Sequence, residues 1–331
     1  HFWRIADREG QWPPAELAAI HRDFMPGDLQ PLLAEAGMDG TVLVQTMENE
    51  ADTAFMLDIA DRHEFVAGVV GWTDLKAANA PEAIARLARH PKLKGFRPML
   101  QDIADDRWID DPNLKPAISA MIENGLVFDA LVLPRHLDAL LPFARRSSRL
   151  PIVIDHGAKP PIAEGRFIDW YARMKALAAL TNVHCKLSGL LTEAGDQKPQ
   201  AVRPYVETIL DLFGPTRVIW GSDWPVLRLA GEYQAWLAQC LDIVPRQHHG
   251  AIEQLGEVHT AVRAHHGDDP HPGSPCSLEA LLVHGRRAER GVDGEPAAGQ
   301  VRGRVEGVAA VVPAAHEGEH HGSGQARPTL A

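Results

Sequence analysis

Seven short apolar runs recur through the first 245 residues, and their spacing limits the available folds more than any other feature. They are Gly40–Thr46, Val66–Trp72, Lys94–Leu100, Leu126–Val132, Pro151–His156, Asn182–Ser188 and Arg217–Asp223. Successive runs start 25–35 residues apart, the length of a strand, a helix and two loops. Most are apolar at nearly every position rather than at alternate ones, which is the pattern of parallel strands covered on both faces. Helical stripes with i, i+3, i+4 spacing lie between them. They are Leu114/Ile118/Met121/Ile122, Leu137/Leu140/Leu141/Ala144, Phe167/Tyr171/Met174/Leu177, Val202/Val206/Ile209/Leu210/Phe213 and Trp236/Leu237/Cys240/Leu241/Val244. Pro81, ahead of Ile84 and Leu87, suits the first turn of a further helix.

Seven strand–helix units are one strand short of an eight-stranded parallel barrel of about 250 residues. His1-Phe2-Trp3 is expected to form the C-terminal end of the first strand, its upstream half lacking from a sequence that opens on His rather than Met. The expected fold is an α/β (β/α)8 TIM barrel over residues 1–245 with a truncated first strand. An open doubly wound sheet is the second choice. No GxGxxG or GxxxxGK[ST] loop follows any run, which weakens a nucleotide-binding version.

Composition changes after the last stripe. All of the chain's Phe, Trp and Tyr precede residue 246, and residues 246–331 hold no Lys but 10 of the 17 His. Aromatic side chains supply a large share of core burial, so 246–331 is expected to be an unpacked tail, rich in Gly, Ala, Arg and His. GC-rich coding DNA read out of frame gives such a composition, with a break near Pro245. The His pairs of the tail allow a metal-binding tract as a lesser reading.

With 33 Lys and Arg against 44 Asp and Glu, the formal net charge is −11. This argues against a general nucleic-acid binder or a basic membrane-surface protein. No apolar run reaches the roughly 18 residues of a membrane span, and no signal peptide is visible. The three cysteines form no CxxC pair. A reducing, cytoplasmic compartment is the expectation. Oligomeric state is not legible.

In parallel barrels the chemistry sits where strands end and βα-loops begin. Those ends carry His1, Gln45, Trp72 and Asp74, Arg97, Asp129, then Asp155, His156 and Lys159, Lys186 and Ser188, and Ser222, Asp223 and Trp224. Polar side chains on apolar strands are costly unless paired or functional. Each also has a plain structural alternative: Asp223 as a loop cap, His156 as a satisfied core residue, Arg97 as an ion-pair partner, Lys159 as an exposed loop lysine. Trp72, Gln45 and Trp224 divide evenly between core and pocket wall. Lys186 and Asp129 read better as an internal ion pair than as functional groups.

Taken in order, His1-Phe-Trp, Lys94-Gly-Phe-Arg97, Asp155-His156-Gly-Ala-Lys-Pro160, Lys186-Leu-Ser-Gly189 and Gly221-Ser-Asp-Trp-Pro225 resemble the amidohydrolase-related proteins of the amidohydrolase superfamily. The similar branch is that of L-fuconolactonase-like and muconate-type lactone hydrolases, and the resemblance spans nearly all of residues 1–244. Members open on Asp-x-His-x-His-Phe-Trp, whose second histidine matches His1. They close with a helix bearing a Gly-Asn-Ala-like turn, to which nothing after Pro245 is similar.

The resemblance implies a barrel hydrolase that opens a cyclic ester. Asp223 is then the candidate general base, and His156 and His1 polarise the carbonyl, directly or through a metal. One divalent ion such as Zn²⁺, held by His1, His156 and Asp223, is left open, as is working with none. Arg97 and Lys159 would hold substrate hydroxyl or carboxylate groups. Gln45, Trp72 and Trp224 would complete the substrate wall. Two alternatives stay open: a metal-dependent decarboxylase of the same superfamily, and a sugar-acid binding barrel or inactive relic.

Overall fold

The computed structural model describes residues 1–8 and 11–243. Seven strands form one sheet in which every neighbouring pair is parallel and strand order follows chain order. They are β1 (Thr41–Val44), β2 (Val66–Gly71), β3 (Leu93–Phe96), β4 (Val127–Ala130), β5 (Ile152–Ile154), β6 (Val183–Leu187) and β7 (Val218–Trp220). Six fall inside one of the seven apolar runs, and β3 begins one residue before its run. A doubly wound sheet reverses its strand order at a switch point. This sheet never does, so it curls one way, as a barrel wall does.

Helices α1 (Pro26–Ala36), α2 (Glu50–Arg62), α3 (Ala80–Leu87), α4 (Lys115–Glu123), α5 (Leu137–Arg146), α6 (Ile168–Ala178), α7 (Leu190–Glu193), α8 (Arg203–Phe213) and α9 (Tyr233–Ile243) alternate with the strands. Five predicted stripes and the Pro81 start correspond to α3, α4, α5, α6, α8 and α9; α1 and α2 carried no predicted stripe. The outer layer meets itself: α1 packs against α9, and Gln234 Nε2 donates to Leu32 O at 3.0 Å.

The inner layer differs from expectation at one place. His1-Phe2-Trp3 is not the end of a strand parallel to β1. Trp3 instead forms an isolated antiparallel bridge with Phe24, exchanging both backbone hydrogen bonds (3.0 and 2.9 Å). Three residues are too few for a ladder, and burial of Phe2, Trp3 and Phe24 anchors them in an aromatic cluster with Trp12 and Trp224. A seam therefore runs between β1 and β7, bridged at its C-terminal end by His1. Its Nδ1 lies 2.6 Å from Val44 O and its backbone nitrogen 2.8 Å from Trp224 O. Among the described residues no helix is long and apolar enough to cross a membrane. Cys185 and Cys240 are free and buried. Cys276, Val244 and the expected tail lie outside the described residues.

Candidate functional site

The C-terminal ends of β3, β5, β6 and β7 border one open cleft, which continues along β1. His1, Arg97, Asp155, His156, Lys186, Ser188, Asp223 and Trp224 border it. Three residues from distant parts of the chain converge there. Asp223 Oδ1 lies 3.2 Å from His1 Nε2 and 3.7 Å from His156 Nε2.

Backbone conformation aims two of the three. His156 (φ 52°), Gly157 (58°), Ala158 (62°) and Lys159 (48°) form a left-handed turn directly after β5, and Asp223 adopts φ 56° after β7. Each non-glycine residue in that region costs about 1–2 kcal/mol, and such backbone persists only where its surroundings over-determine it. Tertiary contacts hold the turn: Trp170 Nε1 donates to Gly157 O at 2.7 Å, and His156 Nδ1 meets Ser188 Oγ at 2.8 Å. Gly189 must be glycine. Its φ is 64°, a left-handed conformation that side chains rarely adopt, and a Cβ there would lie 2.6 Å from the His156 ring.

Burial and charge set the protonation states. Burial pushes the Asp223 carboxyl up, but His156, His1 and Lys159 outweigh it and hold the group below its ordinary value. Burial pulls His156 down to about 4 against the attraction of Asp223 and Asp155, so its imidazole is neutral at pH 7. His1 Nδ1 faces Val44 O, which can only accept, and this places the N–H on that nitrogen. In the neutral ring, Nε2 then turns a lone pair toward a carboxylate oxygen 3.2 Å away. Two acceptors facing each other call for a cation between them, either a proton on His1 or a metal ion. Both histidines have Nδ1 engaged and Nε2 turned inward, the arrangement by which outer partners orient metal-ligating imidazoles. The donor chemistry thus fits a divalent ion, although no group of three or more such side chains among the described residues already surrounds one point as a metal centre.

Under the cleft lies a buried set of four charges. Lys186 contacts Asp129 and reaches Asp155 Oδ1 at 2.6 Å. Arg97 Nη1 donates to Asp155 Oδ2 at 3.0 Å. Burial and the neighbouring Asp155 push Asp129 up to about 6 against Lys186. Asp155 is pushed up by burial and pulled further down by Lys186 and Arg97, which keeps it ionised.

The structure distributes the other sequence candidates differently. Arg97 borders the cleft, but its guanidinium is turned inward onto Asp155 and the Gln45 carbonyl, leaving Nε without a partner among the described residues. Gln45 is fully buried and donates to Arg97 O at 2.6 Å. Trp72 is half-buried away from the cleft, its backbone bonded to the Thr53 hydroxyl. Trp224 is buried against Phe2 and Phe24 and borders the cleft. Lys159 Nζ lies 3.8 Å from Glu193 Oε1. Sequence reasoning missed Glu193, which no strand end or motif marks.

A one-way parallel sheet with paired histidines and an aspartate at its C-terminal rim defines a class, and the chain belongs to the amidohydrolase family, whose model matches residues 1–247. It is 61% identical over 245 residues to an L-fucono-1,5-lactonase of Burkholderia ambifaria, covering 72% of this chain and 84% of that one. It is 37% identical over 245 residues to an L-fucono-1,5-lactonase of Burkholderia multivorans, covering 70% and 82%. Among solved structures, an amidohydrolase from Burkholderia multivorans with bound zinc superposes with a TM-score of 0.70 at 35% identity, covering 76% of this chain and 93% of that one.

Proposed function

We propose that the chain hydrolyses the ring ester of a sugar lactone of the L-fucono-1,5-lactone type. The observation that carries this reading is the convergence of His1, His156 and Asp223 in a chain so similar to enzymes named for that substrate. Asp223, kept ionised, takes a proton from the attacking water as its oxygen bonds to the lactone carbonyl carbon. When the ring C–O bond breaks, that proton passes to the departing alkoxide, leaving a hydroxyl and a carboxylic acid, which loses its proton to solvent. With the Ser188 hydroxyl donating to its Nδ1, His156 turns an Nε2–H toward the carbonyl oxygen as charge develops there, and His1 does the same when it carries the proton at Nε2. Lys159 and Arg97, which borders the cleft, hold substrate hydroxyls, with Trp224 as the apolar wall; Gln45 supports Arg97, and Trp72 contributes packing.

A divalent cation such as Zn²⁺ would be held by His1, His156 and Asp223, and when bound it supplies Lewis-acid polarisation of the carbonyl. The substrate is a small molecule, and the unpaired, buried cysteines support a cytoplasmic setting. The test is ring opening of L-fucono-1,5-lactone followed by acid release, with the protein metal-stripped and Zn²⁺-loaded. Hydrolysis well above the spontaneous rate in either form is the expected result. A folded preparation that leaves the spontaneous rate unchanged in both forms overturns the proposal.

A further inference from the structure

We propose that Glu193 is a positioning residue of this site, acting through Lys159 to hold the turn that carries His156. The inference rests on the lactone-hydrolysing reading for its kinetic test, but its geometry stands apart from that reading. Two chain segments run side by side behind the catalytic histidine. One is the left-handed turn from His156 to Lys159; the other runs from Ser188 through Gly189 and α7 to Glu193. They are tied at both ends. The first tie is His156 Nδ1 to Ser188 Oγ at 2.8 Å, and the second is Lys159 Nζ to Glu193 Oε1 at 3.8 Å. The result is a closed circuit with His156 at one corner and the Lys159–Glu193 pair at the opposite one.

The pair is built into the fold rather than laid on its surface. The Lys159 and Glu193 side chains are only 11% and 25% exposed, and the backbone carbonyl of Glu193 accepts from Ala163 N at 3.0 Å, which fixes the end of α7 against the loop following the turn. Gly189 lies flush with the His156 ring, so a shift of the second segment is transmitted directly to the imidazole. Three of the four turn residues are not glycine, and a backbone of that kind relaxes when a restraint is removed. Lys159 also faces Asp223, whose charge it helps to hold. Without Glu193 the ammonium is free to move toward Asp223 and drag the turn with it.

The test compares Glu193→Ala, Glu193→Gln and Glu193→Asp in the full chain. On L-fucono-1,5-lactone, Glu193→Ala should lower kcat about tenfold or more with KM changed less than threefold, while the melting temperature stays close to wild type. Glu193→Asp should recover most of the loss, with Glu193→Gln between the two. A parallel readout needs no turnover: the imidazole NMR resonance of His156, assigned by its disappearance in His156→Asn, should move in Glu193→Ala and return in Glu193→Asp. An unmoved resonance overturns the proposal, as does a fall in melting temperature with unchanged kcat per folded molecule. If wild type hydrolyses no lactone, the functional reading fails, and the resonance alone decides the role of Glu193.

Discussion

The seam between β1 and β7 and the middle of the sheet are made of similar apolar strands, yet they behave as different materials. In β3 and β5 every residue is buried. At the seam, Val42, Val44, Ile219 and Trp220 are only partly covered and border the cleft. Thr41 N and Gln45 N donate toward β2, and Gly221 N donates toward β6. Backbone groups alternate sides along a parallel strand, so those of Val42, Val44, Val218 and Trp220 turn into the seam. The lesson is that an apolar run specifies a strand, whereas its neighbours decide how much that strand buries. Charge is divided in the same way. The middle holds a compensated set of four charges, while the seam's mouth holds the groups that need a cation or a substrate.

The largest effect that would sharpen this contrast is at the mouth. Asp223→Asn fills the same space but cannot accept the proton of water, so kcat on the lactone should fall about 10²–10⁴-fold with little loss of folded protein. Steady-state kinetics beside circular dichroism measures both, and near wild-type turnover would remove Asp223 from the chemistry.

In the middle the penalty should be paid in stability instead. Lys186→Met leaves Asp129 and Asp155 sharing Arg97 alone, at a cost of about 3–5 kcal/mol. Urea unfolding should show the loss, and adding Asp129→Asn should return part of it. A Lys186→Met protein as stable as wild type would dissolve the distinction between the regions.

A third measurement uses pH. Burial pulls His184 in β6 down to about 4 from an ordinary 6.5. The unfolded chain therefore binds the proton first as pH falls. This group's share of stability is intact above about 6.5 and declines on going down to about 4, by on the order of 3 kcal/mol. His184→Leu should flatten that part of the unfolding profile between pH 7 and 4.5, and an unchanged slope would assign it to other groups.

The smallest effect is the most direct comparison. Val153→Ala, in the middle of the sheet, should cost about 2 kcal/mol. Val42→Ala, at the seam, should cost less than about 1 kcal/mol, since its side chain is already partly in water. Equal losses in denaturant melts would mean that the seam is as well packed as the core.

How much of this was legible in the sequence follows from the range of the forces involved. Strand positions and α4, α5, α6, α8 and α9 were readable because a run or stripe is a local pattern. Helix α1 was hidden by Pro31 within it and by a stripe reduced to Leu29 and Leu33. In α2 the buried face includes Asp52 and Thr53, whose polarity is answered by Arg8, by the backbone N–H groups of Thr46 and Met47 and by the backbone of Trp72. The rim residues His1, His156 and Asp223 could be picked out because polar groups at the ends of apolar strands stand out. The direction in which Arg97 points could not, since Asp155 turns it and lies 58 positions further on. Glu193 carries no local mark, because its surroundings come from a turn more than thirty residues earlier.

The outer layer closes where α1 meets α9, and two residues of the proposed site, His1 and Asp223, lie 222 positions apart. Contacts of such separation are the last that a growing chain can make. A nascent chain on the ribosome can assemble β1 through β6 and carry a stable core while possessing no complete site. The proposed site is completed in one step, when β7 and the loop behind it arrive, so turnover would report on synthesis past Asp223 in a way that secondary structure does not.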